Sequence, residues 1–81
     1  MLNKNIIDYK DFGYILVKLD NIMKDREIST YELSVKTGIR FQTIQKLREK
    51  GVTTRVNLDV LAKICYVLEC KIEDILEYVE A

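Results

Sequence analysis

Apolar residues recur along this chain at intervals of three and four, in runs separated by polar or glycine-containing breaks. This is the pattern of several short amphipathic helices. Leu16, Leu19, Ile22 and Met23 form the first stripe and predict a helix ending near Arg26. Its beginning is open, because Ile15 and Val17 alternate with Leu16 in a run that suits a short strand as well as an extra helical turn. Ser29 followed three residues later by Glu32 has the spacing of a capping box and predicts a second helix. That helix can run only to Thr37, because Gly38 suits the left-handed conformation that closes a helix. A third helix is expected over 41–50, anchored by Ile44 and Leu47 and ending near Gly51, with a polar, β-branched loop at 52–56. Asn57 is a good cap for a fourth helix that carries Leu58, Leu61, Cys65 and Leu68 on one face with Ile64 beside them. Ile72, Ile75, Leu76 and Val79 then fit a fifth helix. The alternation within 76–79 leaves a strand paired with 14–18 as the alternative.

Length and composition narrow the class. With 81 residues, 48% hydrophobic and 32% charged, the chain is expected to form one small soluble domain. No stretch approaches the ~18 uncharged apolar residues of a membrane span, and 1–10 lacks the apolar core of a secretory leader. Cys65 and Cys70 are five apart, a spacing that suits neither a zinc ligand pair nor a redox pair, so Cys65 is read as a core residue and the cytoplasm as the compartment. There is no histidine, no glycine-rich phosphate loop and no nucleophile with a base beside it, so no enzyme, cofactor or metal is expected. The acidic residues Glu73, Asp74, Glu77 and Glu80 read as a solvated surface.

The zero net charge hides a division. Residues 1–28 balance, with five bases and five acids. Residues 29–56 carry six bases (Lys36, Arg40, Lys46, Arg48, Lys50 and Arg55) against two acids, a surplus of four, and 57–81 invert this with six acids against two bases. A positive face confined to two short helices and a loop is the footprint of a protein that meets phosphates with one side. On the third helix, the positions left over by the anchors are Arg40, Phe41, Gln42, Thr43, Gln45 and Lys46. These side chains are suited to base edges or phosphates. For Gln45 a purely solvent-facing role is the alternative, and for Phe41 it is packing against Ile44.

The run STYELSVKTGIRFQTIQKL, followed by NLDVLAKICYVLEC and the closing KIEDILEY, resembles the helix-turn-helix domains of phage repressor and Cro proteins and the Xre-type regulators of bacteria. The resemblance covers about 19–78 and implies an all-α, five-helix lambda-repressor-like fold, with a short terminal β pair as an option. In that family the second helix lies across the DNA backbone and the third enters the major groove. Carried over by position, Arg40, Phe41, Gln42, Thr43 and Lys46 would face the bases, while Thr30, Lys36, Arg48, Lys50 and Arg55 would meet phosphates. Thr30 stands where the family often has a glutamine clamp, and Ser34 where it favours alanine. The resemblance implies a helix-turn-helix unit at about 30–50 within a DNA-binding domain at 14–81, preceded by an arm at 1–13. It further implies double-stranded DNA as partner, a homodimer, and transcription regulation without membrane attachment. The competing reading is a protein-interaction module, such as an antitoxin or a regulator's partner, using Tyr66, Tyr78 and Val79.

Overall fold

A computed structural model describes residues 12–49 and 55–81. In chain order they form β1 (Tyr14–Val17), α1 (Leu19–Asp25), α2 (Thr30–Thr37), α3 (Phe41–Arg48), α4 (Leu58–Leu68), a single 3-10 turn (Ile72–Asp74) and β2 (Leu76–Val79). The expected arm at 1–13 lies outside the described residues except for Phe12 and Gly13, as do Lys50 and most of the 52–56 loop.

The helices start and stop where side chains satisfy their free backbone groups. At α2 the Ser29 hydroxyl accepts from the Glu32 amide at 3.0 Å and the Glu32 carboxylate accepts from the Ser29 amide at 3.5 Å, completing the capping box. Gly38 closes the helix at φ 77° and its amide donates to the Ser34 carbonyl at 2.8 Å. A Cβ there would meet nothing within 4 Å, so the backbone conformation alone selects glycine. Asn57 caps α4 by accepting from the Asp59 amide at 2.7 Å. α3 is shorter than expected: it ends at Arg48, and Glu49 is already extended.

One core joins these elements. α2 packs on α3 and α4, and α1 on α3. Leu19, Met23, Leu33, Ile44, Ile64 and Ile75 are fully enclosed. α4 buries the expected face over only part of its length: Leu61, Ile64 and Leu68 are buried, Cys65 is half-buried, and Leu58, in the first turn, is 79% exposed. Leu58 lies a turn before the point where α4 meets the rest of the core.

The fifth helix does not form. Its place is taken by the 3-10 turn, closed by the Ile75 amide donating to the Ile72 carbonyl at 2.9 Å, and by β2 running antiparallel to β1. The register pairs Tyr14 with Val79, Ile15 with Tyr78, Leu16 with Glu77 and Val17 with Leu76. The physical reason is β1. Once 14–17 is extended its backbone needs a partner, and 76–79 alternates well enough to supply one while Ile75 still reaches the core. Among the described residues the fold is therefore four α-helices and a two-stranded ribbon. At the ribbon's end Gly13 has φ 89°, and a Cβ on it would lie 2.2 Å from the Val79 carbonyl oxygen, so only glycine lets the strands approach. The Tyr78 hydroxyl donates to the Phe12 carbonyl beside it.

Candidate nucleic-acid interface

The α2–turn–α3 unit is held rigid from within. The Ser34 hydroxyl donates to the Ile39 carbonyl at 2.6 Å, and the Thr37 hydroxyl donates to the Leu33 carbonyl at 2.7 Å while accepting from the Ile39 amide at 3.1 Å. Ser34 thus bonds directly to the turn, which an alanine at this position could not do. Ile39, Ile44 and Leu47 are buried, which holds α3 with its opposite side outward.

On that outward side Arg40, Gln42, Gln45 and Lys46 are exposed and Phe41 is 45% exposed. Thr43 is half-buried beside an open hollow of about 650 Å³ that it shares with Leu47, Arg55, Val56, Asn57 and Val60. α3 has no acidic residue in its first turn, so the exposed face carries two cations, Arg40 and Lys46, and no anion from 40 to 48. Lys36 is exposed in the last turn of α2 and Arg55 is exposed at the rim of the hollow. Lys50 lies outside the described residues.

Arg48 and Thr30 are placed differently. The Arg48 side chain, only 19% exposed, lies under α3 with all three guanidinium nitrogens engaged by two partners. Its Nε and Nη2 are each 2.7 Å from Asp20 Oδ1 on α1, and its Nη1 donates to the Thr30 hydroxyl at 2.8 Å. Thr30 is 7% exposed and donates in turn to Gln45 Oε1 at 3.1 Å. Asp20 also pairs with Lys24 at 3.0 Å, and the Lys24 and then the Arg48 hydrogen bonds hold its carboxyl below the usual aspartate value. Two residues expected at phosphates are thus turned inward, into a chain running from α1 through α3 to the start of α2 and back to Gln45. Nothing in the sequence pattern singles out Asp20 as the partner of Arg48, from which it is 28 residues distant. Only its spacing from Lys24 was a local signal.

The other titratable feature is inert. Burial, and next the neighbouring Cys65 thiol, push Cys70 up to about 11, so it remains protonated at neutral pH. Among the described residues no group of three His, Cys, Asp or Glu side chains is placed to hold a metal ion, and no helix is long and apolar enough to cross a membrane.

A two-helix unit closed by a left-handed glycine, with an acid-free basic face on its second helix, has counterparts among known proteins. The sequence pattern of the Cro/C1-type HTH DNA-binding domain matches residues 18–81. The chain belongs to the Cro/C1-type helix-turn-helix family. It is 36% identical over 64 residues to the uncharacterized HTH-type transcriptional regulator YozG of Bacillus subtilis (strain 168), covering 79% of this chain and 75% of that protein. It also resembles the crystal structure of the transcriptional regulator VanUg, at 27% identity and a TM-score of 0.68, over 94% of this chain and 99% of that one. The Cro/C1-type match begins at Lys18, just after β1, whereas the likeness to VanUg extends over nearly the whole chain. As a member of this family the chain is a helix-turn-helix DNA-binding domain, and its relatives are transcriptional regulators.

Proposed function

We propose that this protein binds double-stranded DNA sequence-specifically through α3 and regulates transcription from the cytoplasm as a homodimer. The observation that carries the reading is the outward face of α3, where Arg40, Gln42 and Lys46 stand exposed over an anchored helix with no acid beside them. In the major groove, Gln42 is suited to adenine, Lys46 to guanine acceptors and Phe41 to a thymine methyl, with Arg40 and Thr43 at the edge of the contact. Lys36, Lys50 and Arg55 would neutralise phosphates, and Arg48 and Thr30 would support the helix from below. The DNA-binding unit spans about 30–50 within a domain at 14–81. One eight-residue helix reaches only a few base pairs, and a dimer spanning half-sites about 10 base pairs apart supplies the remaining affinity.

Selection from a random duplex library, followed by titration of the enriched and a scrambled sequence at two salt concentrations, tests this. The expected result is an enriched palindrome whose log affinity falls with log salt by about 0.9 per phosphate contact. Lys46→Ala should weaken binding to the enriched site by ~1–3 kcal/mol, whereas Arg55→Ala should weaken both sequences alike and flatten the salt slope by about one unit. No enrichment and no salt-sensitive binding would replace DNA with a protein partner.

A further inference from the structure

Gln45 ends the hydrogen-bond chain that begins at Asp20, and each link of that chain has one direction. A carboxylate only accepts and a guanidinium only donates, so Arg48 receives nothing and gives a proton to the Thr30 hydroxyl at 2.8 Å. That hydroxyl has a single proton of its own, and Gln45 Oε1 at 3.1 Å takes it. Turning the Gln45 amide over would put N–H groups of both Arg48 and Gln45 against the hydroxyl. The Thr30 proton would then lose its acceptor at a site only 7% exposed, which is costly. The chain therefore sets the amide with its carbonyl inward and its NH2 group on the solvent side of α3.

A free glutamine offers a donor and an acceptor together, the pair that matches adenine. With its carbonyl turned inward to Thr30, Gln45 presents its NH2 donors outward. The geometry points to Gln45 as a DNA contact made through its NH2 group, aimed at an acceptor such as guanine O6 or N7, thymine O4 or a phosphate oxygen. Thr30 is its positioning residue, and Arg48 and Asp20 stand behind Thr30. This rests on the reading of α3 as the DNA-binding helix. It assigns Gln45 a preference different from that of Gln42 three residues earlier on the same helix.

The test is a binding cycle on the selected operator with the full chain. Gln45→Met keeps the length and removes the donor, and is expected to weaken binding about tenfold. Thr30→Val removes the orienting hydroxyl and is expected to cost about the same, with Thr30→Ser within about twofold of wild type. The double variant Thr30→Val with Gln45→Met is expected to bind no worse than Gln45→Met, because both act through one contact. A Gln45→Met loss confined to one base pair of the operator identifies a base-edge acceptor, and an equal loss on scrambled duplex identifies a phosphate oxygen. Losses that multiply in the double variant, or Thr30→Ser as weak as Thr30→Val, overturn the positioning. Wild-type-like binding by Gln45→Met overturns the contact alone. A wild-type protein that binds no duplex overturns the DNA reading and this contact with it.

Discussion

Two eight-residue segments, 41–48 and 72–79, each carry apolar side chains at helical intervals and fold differently. The first becomes α3, and the second a 3-10 turn followed by a strand. In both, one isoleucine is wholly enclosed, Ile44 in α3 and Ile75 between the turn and β2. Helical spacing in so short a stretch establishes which residue must be buried but not the backbone that buries it. The neighbours decide that. α3 lies against α1 and α2 and is tied down through Arg48, whereas 76–79 faces a strand with unpaired backbone.

The largest expected effects test whether the two anchors are equivalent. Ile44→Ala and Ile75→Ala should each destabilise by about 3 kcal/mol in urea unfolding, since each leaves a cavity in the same core. A cost below about 1 kcal/mol for Ile75→Ala would show the C-terminal segment to be peripheral. The glycines sharpen the contrast next. Gly13→Ala must move the Val79 carbonyl as well as adopt positive φ, and should cost about 2–3 kcal/mol. Gly38→Ala meets open space and should cost only about 1 kcal/mol.

A smaller, pH-dependent effect reports on the tie beneath α3. Because the Asp20 carboxyl is held below its ordinary value, the unfolded chain binds its proton first, and stability rises with pH across that window. The contribution is complete above about pH 4 and is lost as pH falls through the lowered folded-state value. For this part-exposed pair it should be at most about 1 kcal/mol, seen as a gap between wild type and Asp20→Asn at neutral pH that closes in acid. Smallest of all, Leu58→Ala should change stability by less than about 0.5 kcal/mol, while Leu61→Ala, one turn on, should behave as a core truncation.

What the sequence made legible follows the reach of each signal. The α2 capping box, Gly38 and the Asn57 cap act within three residues, and each stands where its spacing places it. The exposed set on α3 was legible because Ile44 and Leu47 declare its buried side. The alternation within 76–79 leaves both a helix and a strand open, and only the pairing with a strand 59 to 65 residues away decides for β2. The inward turn of Arg48 depends on an aspartate from another helix, which no local pattern announces. Leu58 departs from its expected burial for a related reason: helical periodicity gives the face of α4 but not how far along it the core extends.

The ribbon also bears on the order of events in folding. Phe12 and Tyr78 bond across a sequence separation of 66, and closing a loop of that size costs roughly 4 kcal/mol of chain entropy before any strand contact repays it. Contacts between α2 and α3 close loops of only 15 to 18 residues. The helix-turn-helix should therefore assemble early and the terminal strands zip last, placing β1 and β2 on the late side of the folding barrier. Their amides should exchange with deuterium through a partial opening that leaves α2 and α3 closed.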